Sequence, residues 1–168
     1  MDSKSDLRIY AKELRKTLDI KNISTLIVSK IQTLEEYRQA RNVMIFYPMK
    51  YEIDLLDLLN DNKNFYLPKV DGKDLTVCPY SKDLKKSEFN VLEPNTEPVN
   101  PNILDLIFVP ALMVDKENYR LGYGGGFYDR FLKQYPNIKT IVPIAKELIT
   151  DKLPHENFDI KISQIITQ

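Results

Sequence analysis

Four of the five glycines in this chain fall at positions 122, 124, 125 and 126. A sequence that otherwise avoids glycine has gathered it into one loop, so the backbone there must do something the rest of the chain does not. Glycine adopts positive φ without penalty and lets another group approach the bare backbone. Upstream, Leu104-Asp105-Leu106-Ile107-Phe108-Val109-Pro110 is nearly continuous in apolar residues, as expected for a strand covered on both faces. Downstream, residues 126–135 read as a helix. A helix that opens on a glycine loop presents free N–H groups and partial positive charge, a natural seat for phosphate. Arg120 precedes the loop and can pair two-pronged with phosphate oxygens. The plainer reading is a flexible turn between strand and helix, and the glycines alone do not choose between the two. Two familiar phosphate motifs do not fit. A P-loop needs Gly-Lys-Ser/Thr where Phe127 and Tyr128 follow, and the dinucleotide fingerprint G-x-G-x-x-G has Phe127 at its third glycine.

The remaining elements place this loop in an α/β chain. Leu7, Ala11, Leu14 and Leu18 make an apolar stripe over a helix at 4–18, and Ile23, Ile27, Ile31 and Leu34 make another over 23–37. Val43 to Tyr47, closed by Pro48, reads as a buried strand, followed by a helix near 54–60. Further strands are expected at Phe65–Leu67, Leu75–Cys78, Thr140–Ala145 and Ile160–Thr167. Strands alternating with helices imply a largely parallel sheet. Pro94, Pro98 and Pro101 make 81–104 an extended connection with room for a small lobe or flap. At 168 residues, against roughly 100–200 per domain, one domain over 1–168 is expected.

Charge narrows the function. With 24 basic and 24 acidic residues the chain carries no net charge, which argues against a dedicated nucleic-acid binder. The N-terminal segment has no apolar signal core, and no run approaches the ~18 apolar residues of a membrane span. The single cysteine, Cys78, suits a reducing compartment, so a cytoplasmic monomer without membrane contact is expected. One histidine, His155, rules out multi-histidine metal sites and disfavours a serine–histidine triad; no role is assigned to it. Lys4, Arg8, Lys12 and Arg15 fall along one side of the first helix. They are either a solvated face or an anion-facing stripe.

The segment Arg120-Leu121-Gly122-Tyr123-Gly124-Gly125-Gly126-Phe127-Tyr128-Asp129-Arg130-Phe131-Leu132 resembles the signature of the 5-formyltetrahydrofolate cyclo-ligase family, also called methenyltetrahydrofolate synthetases. The resemblance extends along the chain through Lys4, Leu7-Arg8, Tyr47-Pro48, Glu52-Ile53-Asp54, Leu67-Pro68, Glu93-Pro94, Asp105 to Pro110, Leu153-Pro154, Phe158-Asp159 and Ile165 to Thr167. It implies a three-layer α/β sandwich, with a largely parallel central sheet flanked by helices, akin to sugar-phosphate isomerase and CoA-transferase-like folds. It also implies an ATP- and Mg2+-dependent ligase that closes a carbon–nitrogen ring. Such an enzyme converts 5-formyltetrahydrofolate to 5,10-methenyltetrahydrofolate and releases ADP and phosphate. A formyl oxygen is a poor leaving group; phosphorylation activates it, and N10 of the same folate attacks. Holding both groups in one bound molecule removes most of the entropic barrier.

The resemblance assigns Lys4, Arg8 and the segment Arg120, Leu121, Gly122, Tyr123, Gly124, Gly125, Gly126, Phe127 and Tyr128 to ATP, with Arg120 and Tyr128 as catalytic residues. Tyr47, Glu52 and Tyr123 to Phe127 would line the folate site, Glu52 accepting from the pterin N–H groups. Asp129 and Asp159 would hold magnesium, and Lys12 and Arg15 would stay solvated. The family often carries a tyrosine where Phe127 stands and a lysine or other side chain where Gly125 stands. Two other classes remain open from sequence: an isomerase or CoA-transferase-like enzyme on the same architecture, and a nucleotide or folate binder without turnover.

Overall fold

A computed structural model describes residues 2–168. In chain order the elements begin with helices α1 (Lys4–Arg15), α2 (Ile20–Ile31) and α3 (Glu35–Gln39), and then strands β1 (Asn42–Met44), β2 (Asn64–Asp71), β3 (Asp74–Pro79), β4 (Leu84–Lys86) and β5 (Leu92–Pro94). They continue with β6 (Leu106–Phe108), β7 (Met113–Asp115), β8 (Arg120–Leu121), α4 (Phe127–Gln134), β9 (Lys139–Pro143), β10 (Ile149–Thr150) and β11 (Gln164–Ile166).

The central sheet runs in the order β11-β9-β6-β1-β2-β3. Every neighbouring pair is parallel except the β2–β3 hairpin, which turns at Gly72 with Asp71 opposite Asp74. The expected α/β fold is therefore present, with helices against a largely parallel sheet. The middle strands explain why. Val43 and Met44 of β1 and all three residues of β6 are fully buried, so these strands need cover on both faces. Both strands are shorter than their apolar runs, but the pairing reaches further: the Ile45 N–H donates to the Tyr66 carbonyl at 3.0 Å and the Val109 N–H to the Ile141 carbonyl at 2.9 Å.

Other expectations change. The helix expected over 23–37 is two helices. The Thr33 hydroxyl donates to the Lys30 carbonyl at 2.7 Å, and Leu34 is extended, so local side-chain bonding ends α2. The first helix stops at Arg15, because Asp19 caps α2 by accepting from the Asn22 N–H at 3.2 Å. Residues Leu56–Asn60 form a 3-10 helix. The stretch 81–104 is not wholly irregular: β4 and β5 pair as an antiparallel hairpin. A second, three-stranded sheet, β10-β7-β8, was not expected from sequence; its strands are two or three residues long.

The N-terminal capping box bears on the site. Ser3 accepts from the Asp6 N–H, and the Asp6 carboxylate accepts from the Ser3 N–H. Ala11 is fully buried, with Leu7 and Leu14 packed against the core, so α1 turns one face inward.

Candidate active site

The four clustered glycines lie between β8 and α4, and all of them line one cavity of about 450 Å³. That volume lies within the ~300–1,000 Å³ typical of small-molecule sites. Gly124 has φ +109° and Gly126, the N-cap of α4, has φ +70°, so both need glycine for conformation. The other two leave space. A Cβ on Gly122 would stand 2.7 Å from Arg120 Nη1, and one on Gly125 would stand 2.7 Å from the Phe127 ring. No side chain caps the start of α4, which leaves that helix end open to an acceptor from outside.

Cations meet this loop from two directions. From α1, Arg8 Nε donates to the Gly122 carbonyl at 2.8 Å. From β8, the Arg120 side chain is only 5% exposed. Its Nη1 donates to the Pro110 carbonyl at 3.1 Å, its Nη2 lies 3.9 Å from Asp129 Oδ2, and its guanidinium carbon sits 5.4 Å from the Tyr128 ring centre. Burial draws its pKa down, yet an arginine stays charged. Arg120 Nε is buried without an acceptor among the described residues, so an anion in the cavity would meet an unsatisfied donor. Burial likewise drives the Tyr128 hydroxyl pKa up, which keeps its proton in place.

Lys4 is already paired. Its Nζ donates to Asp159 at 2.6 Å and to Glu156 at 2.7 Å. Burial opposes its charge, but hydrogen bonds to Asp159 and then Glu156 outweigh that and raise its pKa. Asp159 also accepts from the Glu156 N–H at 2.9 Å. Asp129, in the first turn of α4, accepts from the N–H of Ile160 at 3.2 Å, so it stands beside the segment that carries Asp159. No group of three or more His, Cys, Asp or Glu side chains forms a metal cage among the described residues. Two carboxylates on adjoining segments are nevertheless the donor set magnesium uses when waters and substrate phosphates complete its shell.

Glu52 is 8% exposed. Its Oε1 accepts from the Met49 N–H at 2.7 Å and its Oε2 from the Tyr123 hydroxyl at 2.9 Å. Burial raises its pKa, while those two bonds and the charge of Arg15 pull the other way. Tyr47 lines the same cavity. Every residue singled out from sequence for nucleotide, folate, metal or catalysis therefore borders one cavity.

Arg15 corrects the sequence reading. Lys12 is exposed as expected, but Arg15 is 8% exposed and its Nη1 donates to the Tyr123 hydroxyl at 2.7 Å. The signal was available: Arg15 follows the fully buried Ala11 by four residues and shares its helix face. The hairpin tip was also missed as a wall. Ser87, Phe89 and Val91 line the cavity, and the Phe89 ring meets Phe127 edge-on at 5.7 Å. His155 stacks on Tyr119 at 3.8 Å, and Cys78 is fully buried in β3, its thiol pKa raised by burial.

Comparison with known proteins decides among the classes left open. The sequence model of the 5-formyltetrahydrofolate cyclo-ligase family matches residues 1–168. The chain belongs to that family. The 5-formyltetrahydrofolate cyclo-ligase of Haemophilus influenzae is 34% identical over 148 residues, covering 79% of each chain. That of Mus musculus is 28% identical, covering 85% of this chain and 81% of its own. The solution structure of Aquifex aeolicus 5,10-methenyltetrahydrofolate synthetase superimposes with a TM-score of 0.85 at 31% identity, over 96% of this chain and 88% of that one. The Mycoplasma pneumoniae synthetase shares the fold, with a TM-score of 0.81 at 24% identity. The protein is thus an enzyme, a cyclo-ligase. In this cyclo-ligase Gly125 and Phe127 fit each other: the ring occupies the space a side chain at 125 would need.

Proposed function

We propose that this cyclo-ligase converts 5-formyltetrahydrofolate to 5,10-methenyltetrahydrofolate, spending ATP and releasing ADP and phosphate. The observation that carries the reading is the single cavity, bordered on one side by Arg8, Arg120 and the open end of α4 and containing the buried carboxylate of Glu52. The first group suits phosphate and the second suits a pterin's N–H donors. Phosphoryl transfer rests mainly on positioning and charge neutralisation. Arg120 would hold the transferring phosphoryl group, with Tyr128 beside it. Arg8, Lys4 and the backbone from Leu121 to Phe127 would seat the remaining phosphates. Glu52, Tyr47 and the loop from Tyr123 to Phe127 would orient the folate so that N10 faces the activated formyl carbon. Asp129 and Asp159 would hold magnesium, which would neutralise phosphate charge. For that, Lys4 would exchange part of its pairing with Asp159 for nucleotide phosphate.

The six-stranded sheet includes both β1 at Asn42–Met44 and β11 at Gln164–Ile166, which supports a single domain over 1–168. Among the described residues no helix is long and apolar enough to cross a membrane. A cytoplasmic monomer acting on small molecules remains our reading.

The test is the near-ultraviolet absorbance of the methenyl product. We expect it to grow with 5-formyltetrahydrofolate, ATP and magnesium together and to stop when ATP or magnesium is withheld. Folded protein that gives no product with all three present overturns the assignment.

A further inference from the structure

Arg15 stands behind the cavity wall rather than on it. It borders a second space of about 20 Å³ that Glu52 also borders, but it does not line the large cavity. Its guanidinium carbon lies 5.5 Å from the Tyr123 ring centre, and its Nη1 donates to the Tyr123 hydroxyl at 2.7 Å. That hydroxyl donates to Glu52 Oε2 at 2.9 Å, and the Met49 N–H holds Oε1 at 2.7 Å. The order of donors is fixed by chemistry. Arginine only donates, so the tyrosine oxygen accepts, and its one proton goes to the carboxylate. With both carboxylate oxygens held, Glu52 has one orientation.

We propose that Arg15 is a positioning residue for folate binding, acting through the Tyr123 hydroxyl to fix the Glu52 carboxylate toward the pterin. This rests on the reading of Glu52 as the folate-contacting carboxylate. Stability is a poor account of the arginine. Arg15 Nε is buried without an acceptor among the described residues, so the arginine leaves a donor unmet that a purely structural role would not need. The two accounts therefore separate: a structural arginine protects the fold, whereas a positioning arginine protects substrate affinity.

The experiment compares wild type, Arg15→Met, Arg15→Lys, Tyr123→Phe and the Arg15→Met/Tyr123→Phe double variant in the cyclisation assay, with a thermal melt of each. In Arg15→Met the KM for 5-formyltetrahydrofolate should rise roughly tenfold to a hundredfold, the range of a lost charge-assisted hydrogen bond. The KM for ATP and the kcat should change little; the melting temperature should fall, because Glu52 stays buried without its charge partner, so the folate KM is read on protein that is still folded. Arg15→Lys should fall between wild type and Arg15→Met. The double variant should be no worse than the worse single one, since both changes cut the same relay. An unchanged folate KM in Arg15→Met, or additive losses in the double variant, overturns the proposal. If Arg15→Met does not fold, Arg15→Lys decides: a raised folate KM at an unchanged melting temperature supports positioning, and an unchanged KM overturns it. Wild-type protein without product, or Glu52→Gln with an unchanged folate KM, instead overturns the reading of the site.

Discussion

Gly124 shows how one residue joins conformation to chemistry. Its φ of +109° is one that side-chain-bearing residues rarely adopt, and its Cβ position lies 3.6 Å from the Arg8 guanidinium. Gly124→Val should therefore cost both stability and binding. Backbone strain of this kind costs about 1–3 kcal/mol, which lowers the melting temperature of a chain this size by several degrees. The loss of ATP affinity, measured by calorimetry with magnesium, should exceed that stability loss because the side chain also enters the phosphate seat. Equal losses would point to a plain turn. Glu52 makes the opposite trade. Its pKa is raised in the folded state above the ordinary 4.5. The folded protein thus binds this proton more tightly than the unfolded chain, so stability falls as pH rises from about 4.5 through the folded value and then levels off. Glu52→Gln removes that dependence. Denaturant unfolding should find the variant's stability gaining on wild type as pH rises above about 4.5, even as folate binding is lost. A constant difference above that pH would contradict the burial argument.

At the scale of elements, α1 is the one that matters most for the site. It carries Lys4, Arg8 and Arg15, and its capping box sets the start of the helix that presents them. Ser3→Ala should cost about 1 kcal/mol, seen as a melting temperature lowered by roughly 2–4 °C. Because Lys4 and Arg8 lie within the first two turns, the KM for ATP should rise as well, while a cap lost far from the site would leave it alone. The glycine loop was legible in sequence because its backbone demands are local. The β4–β5 hairpin and the β10-β7-β8 sheet were not, because strands of two or three residues are too short to carry an alternating pattern and take their stability from packing context.

At the scale of the whole molecule, the cavity draws its walls from Lys4 to Asp159, so ligand binding should stabilise the entire fold. Magnesium-ATP at about a hundred times its dissociation constant adds roughly 2.7 kcal/mol, or about 5–10 °C in melting temperature. Chelating the magnesium should remove most of that shift. A melting temperature that ignores magnesium-ATP would contradict the nucleotide reading.

The sequence by itself determined the α/β order, the buried middle strands, the glycine loop and a set of charged residues that all reach one cavity. The elements and the loop follow from periodicity and residue type; the charged set follows from resemblance to the cyclo-ligase family. Only the tertiary structure decided which charges are spoken for. Lys4 is held by two carboxylates, Arg120 keeps an unsatisfied Nε, and Arg15, expected in solvent, supports Glu52 through Tyr123. Helix spacing can place Arg15 on the inward face, but its partner, Tyr123, lies more than a hundred residues away, and so does the partner of Lys4, so only the folded chain shows what each charge meets.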